Sequence, residues 1–274
     1  MGRLKALLLR MVFVRAERNR GVMKKRVRIL VVMAVLVAAW GLFPCGAMAQ
    51  SLRVPDNEDV LRRTIDAESP YYIDRLLGKY FAGDEPMSAE EMYYLYYGYA
   101  YSEFYKPLEP IAAEDKVLSV VEEIMTEPTE ERMRRLVDAA LEVMERDPFS
   151  PKNLNFLAFA YGSLSDSVAE RKCFDRLEAV LATIESSGSG EKESEPMHVL
   201  MFSHAADVLY AHGLNIKSRE VVSRTAEYIY LTMKDDRGNL GYYFDFSRIY
   251  WVKSDQPAVR NEKRGWKLND MPLK

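Results

Sequence analysis

Residues 87–106 read MSAEEMYYLYYGYAYSEFYK. Ser88 followed three residues later by Glu91 is a capping box, each side chain satisfying a backbone N–H that the first helical turn leaves unpaired. Pro107 lacks an N–H and pushes the residue before it out of helical geometry, so the pattern predicts a helix that runs to Lys106. Tyr93, Tyr97, Ala100 and Phe104 fall on one stripe of that helix, and Tyr94, Gly98, Tyr101 and Tyr105 on a second beside it. A helix apolar around most of its girth is buried among neighbours. The stretch is therefore expected to be the central helix of an α-helical layer. Gly98 costs roughly 1 kcal/mol of helix stability relative to Ala; the expected return is a notch between Tyr94 and Tyr101 that admits another backbone.

Helical patterns continue on both sides. Upstream, Asp56 is an N-cap for a brief helix through Ile65. Ser69-Pro70 reads as the opening of the next, with Pro at the first helical position. Ile73, Leu76, Leu77, Tyr80 and Phe81 form its inner face, and Gly83-Asp84 ends it. Downstream, residues 113–126 and 130–145 are helical, and Asp147-Pro148 breaks the second. Residues 153–161 and 165–184 form a helical hairpin across Gly162. Leu157, Ala158, Tyr161 and Phe174 echo tetratricopeptide spacing, although Glu170 stands where that pattern wants Ala.

Residues 186–196, SSGSGEKESEP, break the composition, being small, polar and turn-forming. Beyond them the period shifts toward two. Residues 197–202 read as a strand, Ser203 caps a short helix reaching Gly213, and residues 221–222 and 227–233 are rich in β-branched and aromatic side chains. Residues 234–239 are a hairpin loop, and residues 240–246 pair back. In that last strand Tyr242, Phe244 and Phe246 share one face, while Tyr243, Asp245 and Ser247 share the other. The fold class expected is α+β: an N-terminal layer of antiparallel helices, weakly tetratricopeptide-like, packed on a small C-terminal antiparallel sheet. The expected organisation is a helical region over residues 50–186, a linker loop over 187–196, a sheet region over 197–252 and a polar tail over 253–274.

The N-terminal stretch carries an export pattern. Lys24, Lys25, Arg26 and Arg28 form a basic region, residues 29–43 an apolar one, and Ala47-Met48-Ala49 a cleavage site before Gln50. That is a signal peptide over residues 23–49, and its apolar run falls short of the roughly 20 residues a membrane span requires. Met23 precedes the basic run directly, so residues 1–22 read as a misassigned upstream start. Lipidation at Cys45 is disfavoured by Phe43-Pro44, where a lipoprotein signal wants small residues. Residues 1–49 hold ten Lys/Arg and one Glu. The remainder carries 28 basic and 40 acidic side chains, net −12, against −3 for the whole chain. An acidic exported protein is a poor ligand for nucleic acid. With Cys45 removed, Cys173 stands alone, so no intramolecular disulfide forms.

Pro55-Asp56, Tyr71-Tyr72, Leu76-Leu77, Tyr80, Gly83-Asp84, Leu95-Tyr96-Tyr97-Gly98 and Tyr105-Lys106-Pro107 together resemble the domain-of-unknown-function 4919 family. The likeness extends through Ser187-Gly188-Ser189-Gly190 to Tyr243-Phe244-Asp245. The resemblance implies a protein exported by Gram-negative bacteria; it brings no reaction, cofactor or catalytic residue with it.

The residues themselves assemble no catalytic set. All three histidines lie within residues 198–212; His204 and Asp207 share a helix face, but no second ligand cluster supports a metal. Paired acids such as Glu90-Glu91, Glu122-Glu123 and Glu130-Glu131 sit mostly at helix starts, where they complement the dipole. No phosphate loop, nucleophile elbow or zinc signature is present. No cofactor is therefore expected. The tyrosines are the unusual resource. Buried, they make a hydrogen-bonded aromatic core; partly exposed, they suit a protein, peptide or glycan of the cell envelope. Tyr94, Gly98, Tyr101 and Tyr105 are the candidate binding residues. Two functions stay open: a non-enzymatic exported binding or interaction module, and a hydrolase that cuts extracellular polymer or peptide through acidic residues. A facing pair of carboxyls across a cleft would favour the second.

Overall fold

The computed structural model describes residues 52–250. The stretch read as a signal peptide, the residues upstream of it, Cys45 and the stretch read as a polar tail lie outside the described residues. Among the described residues are eight α-helices over Asn57–Ala211, a further helical turn at residues 247–250 and a four-stranded sheet, an α+β fold with its helices mostly N-terminal.

Helix α1, Asn57–Ile65, starts where Asp56 accepts hydrogen bonds from the N–H groups of Glu58 and Asp59. Helix α2, Ile73–Ala82, ends at Gly83, whose φ of 60° is the left-handed conformation that suits a glycine terminator. It begins three residues later than the Ser69-Pro70 signal suggested. The Ser69 carbonyl accepts from the Tyr72 N–H, and the Ser69 hydroxyl from the Tyr71 N–H, so Ser69 closes a turn instead of capping a helix.

The tyrosine helix α3 is Ala89–Gly98, and both halves of the Ser88–Glu91 capping box are formed. It is shorter than Pro107 implied: a 3-10 turn, Tyr99–Tyr101, follows, and the chain leaves helical geometry at Ser102. Tertiary hydrogen bonds account for the early stop. The hydroxyls of Tyr99, Tyr101 and Tyr105 reach the carbonyls of Arg146, Asn57 and Leu200, three separate parts of the chain that a continuing helix would not address together. Every residue from Met92 to Gly98 is buried, as the girdle of aromatics predicts.

Helices α4 (Ala113–Thr126), α5 (Glu130–Met144), α6 (Pro151–Ser163) and α7 (Ser167–Ser186) follow, each packed on the next. Thr129, Ser150 and Asp166 cap the last three. Gly162 lets α7 close on α6, since a Cβ there would lie 2.4 Å from Glu170 Oε1. Gly98 is likewise a notch, but a side chain fills it instead of a backbone: its Cβ would lie 2.5 Å from Thr64 Cγ2 on α1. Cys173 is a buried thiol that burial pushes up to about 11, as its small apolar setting suggested.

The sheet has the order β1-β4-β3-β2, with β1 Met197–His198, β2 Ile216–Val221, β3 Ala226–Leu231 and β4 Gly241–Asp245. It is mixed and not wholly antiparallel, because β1 runs parallel to β4. The strand read over 197–202 is only two residues long. The Leu200 N–H donates to the Tyr96 hydroxyl, which diverts the backbone into helix α8, Phe202–Ala211. Alternation in β4 is as read: Tyr242 and Phe244 are buried, while Tyr243 and Asp245 face outward and are half-buried.

Candidate functional site

The tyrosine cluster is satisfied from within. Tyr94 is 2% exposed and donates to Asp59, while Tyr105 is 4% exposed and donates to the Leu200 carbonyl. Gly98 is buried against Thr64, and Tyr101, half-buried, donates to the Asn57 carbonyl. Burial, with the Asp59 hydrogen bond, pushes the Tyr94 hydroxyl up to about 12. The three tyrosines and the bare Cα of Gly98 lie against α1 and residue 200. Their placement supports the core reading of the tyrosines.

The histidines divide. His204 and Asp207 do share a face of α8, and both are buried. His204 lies between Tyr96 and Asp147, and Asp207 accepts from the Lys152 N–H. His198 pairs with Asp245 at 3.3 Å across β1 and β4. Among the described residues no group of three or more His, Cys, Asp or Glu is placed to hold a metal ion. Of the paired acids, Glu91 is held in its capping box, Glu130 at the start of α5 pairs with Arg134, and Glu123, near the end of α4, pairs with Arg135.

Polar groups instead converge where the helices meet the sheet. A cleft of about 540 Å³ opens between the ends of α7 and α8 and the loop that joins β3 to β4. Its apolar surface comes from Met197, Val208, Leu209 and Leu214. Glu185 and His212, paired at 2.5 Å, form one side. That carboxylate holds the His212 imidazole above its usual range. Lys234, Asp235, Asp236 and Arg237 bring the β3–β4 loop to the same cleft.

Two loops give the cleft fixed walls. Asp235 accepts from the N–H groups of Arg237 and Asn239 and from the Tyr242 hydroxyl, so its carboxyl is a clasp that closes the hairpin. The Tyr242 hydrogen bond leads in holding that carboxyl below its ordinary value. The SGSG segment forms the adjoining wall. Gly188 passes so near the chain that an added Cβ would meet the Pro196 carbonyl oxygen at 2.0 Å. Gly190, at φ 66°, accepts a hydrogen bond from the Tyr243 N–H and donates to the Glu195 carbonyl. Glu191 then accepts from both Arg237 and Asn239, which ties this loop to the hairpin. Gly190 and Glu191 thus bond this loop to β4 and to the β3–β4 hairpin.

A second groove, about 580 Å³, lies beside Met125, Pro128, Phe159 and Leu164, but its one charged group, Glu130, already pairs with Arg134. It offers less to orient a polar molecule. Sequence reasoning missed the mixed-charge cleft. Lys234–Arg237 appeared only as a hairpin loop, and Glu185 fell one residue past the helix read over 165–184.

The family model for a domain of unknown function (DUF4919) matches residues 59–254. The chain belongs to the DUF4919 family. No curated protein and no solved structure gives a match. The DUF4919 region encloses α3, the SGSG loop and every residue of the cleft. No helix among the described residues is long and apolar enough to cross a membrane.

Proposed function

We propose that this DUF4919 protein is an exported, non-enzymatic binding module that uses the cleft between its helices and its sheet. The observation that carries this reading is the set of charged side chains of both signs displayed around a partly apolar cavity of ligand size. Preorganised walls support it, since a loop already fixed by its own hydrogen bonds loses little entropy on binding. Export rests on the basic, apolar and small-residue succession of residues 24–49.

The test expresses the full sequence in a Gram-negative host and recovers the processed protein from the periplasm. That protein is dialysed against the small-molecule and peptide fraction of an envelope extract, and retained molecules are identified by mass spectrometry. Retention by the parent and loss in a Glu185→Ala/Lys234→Ala/Asp236→Ala variant is the expected result. Equal retention by both rules out the cleft. Release of cleaved ligand would mean a hydrolase, and recovery only from the cytoplasm would end the export reading.

A further inference from the structure

Resting on that reading of the cleft, we infer that its ligand is a short peptide with free termini, held by Lys234 at its carboxylate and by Asp236 at its ammonium group. Lys234 and Asp236 both line the cavity and are exposed. Neither makes an ion pair among the described residues, whereas the charges around them are committed elsewhere. Asp235 is taken by its own loop and Tyr242, Arg237 by Glu191, and Glu185 by His212. The site therefore displays one unengaged cation and one unengaged anion, two residues apart on a loop that Asp235 fixes in shape. A zwitterion supplies the matching pair of charges.

The remaining surface sets the body of the ligand. Half-buried Leu214, with Met197, Val208 and Leu209 buried beneath it, gives it a small apolar contact, suited to an aliphatic side chain. Ser189 and His212 add hydrogen-bonding groups at the rim. A cavity of about 540 Å³ has room for a di- or tripeptide.

Amide-resolved NMR titration of the processed full-length protein tests this directly. The probes are Ala-Leu, N-acetyl-Ala-Leu, Ala-Leu amide and the neutral disaccharide maltose. Ala-Leu should shift the amides of residues 188–190, 212–214 and 234–238 saturably. Blocking either terminus should weaken binding about tenfold or more, the effect of losing one charged hydrogen bond. Lys234→Ala should weaken Ala-Leu and its acetylated form yet add nothing against the amide, and Asp236→Ala should add nothing against the acetylated form. Both residues lie on an exposed loop, so neither variant threatens the fold. Equal binding by free and blocked dipeptides overturns the zwitterion while leaving the cleft as the site. Shifts confined to other residues overturn the cleft itself. Maltose bound in preference to all three peptides, or no binding by any of them at millimolar concentration, overturns the peptide class. The dialysis experiment then judges the broader function on its own.

Discussion

Tyr96 and His204, 108 residues apart in sequence, are joined by a buried hydrogen bond of 2.8 Å. The Asp147 carboxylate lies 3.1 Å from the other ring nitrogen, which fixes the tautomer: Nε2 carries the proton toward Asp147, and Nδ1 accepts from the tyrosine. The same hydroxyl accepts the Leu200 N–H. Tyr96→Phe removes one oxygen and strands two buried partners, which should cost about 1–3 kcal/mol. Urea unfolding at constant pH measures it. A change near zero would mean that water or rotation satisfies His204 and Leu200 without the tyrosine.

Gly98 and Thr64 make a second tight pairing. Gly98→Ala adds helix propensity of roughly 1 kcal/mol, but it drives a methyl against a β-branched side chain with few rotamers to escape into. Overpacking of this kind costs about 1–3 kcal/mol and should win. Gly98→Leu should be worse. In a double-mutant cycle, Thr64→Ala should recover part of the loss in the Gly98→Ala background. Stabilisation by Gly98→Ala alone would show that α1 yields freely.

Asp207 sets a pH dependence of unusual sign. Burial pushes its carboxyl up to about 6, against which the Lys152 charge works only partly. A carboxyl whose value is raised on folding favours the folded state when protonated. Its contribution is fully present below about pH 4 and lost as pH rises through about 6, up to roughly 3 kcal/mol. Asp207→Asn should therefore be more stable than the parent at pH 7.5, with the advantage shrinking toward pH 4. Paired urea melts at the two pH values check it; parallel profiles for parent and variant would refute the assignment.

The Asp235 clasp predicts a local effect. Asp235→Ala removes the acceptor of two backbone N–H groups and the Tyr242 hydroxyl. Hydrogen exchange at Arg237 and Asn239 should accelerate at least tenfold, while amides of α3 exchange as before. Peptide binding in the cleft should weaken with it. Unchanged exchange at both amides would mean that the loop holds its shape by other means.

Processing supplies the last measurement. Protein recovered from the periplasm should begin at Gln50, and its intact mass should match residues 50–274 without added lipid. A mass carrying an acyl group on Cys45, or one retaining residues 29–49, would contradict the signal-peptide reading.

What could be seen in the sequence is what local chemistry decides. The Ser88–Glu91 box, the Asp56 cap, the Gly83 terminator and the in-out alternation of β4 each depend on residues a few positions apart, and each stands as read. The end of α3 did not, because the hydroxyls of Tyr99, Tyr101 and Tyr105 answer to partners that only the folded chain brings near. The same reason hid the true length of β1, which Tyr96 curtails by taking the Leu200 N–H. The cleft was invisible for a further reason: Glu185, His212 and Lys234 come from three elements, and no spacing joins them. The DUF4919 pattern was legible in the tyrosine-rich half and again in Ser187–Gly190, which borders the cleft.

The far-reaching hydroxyls of α3 and of Tyr105 just beyond it also order events in time. Tyr97, Tyr105 and Tyr96 find their partners at His198, Leu200 and His204, each about a hundred residues downstream. A nascent chain that has emerged only as far as α7 holds a complete tyrosine helix with three phenols unanswered in its interior. Such a fragment has its secondary structure but no finished centre, so the N-terminal helices are not a folding unit of their own. Closure waits for the short stretch 198–204, and contacts of that sequence separation slow the search. That interval, with α3 formed and its C-terminal partners still absent, is when the chain most needs protection from self-association.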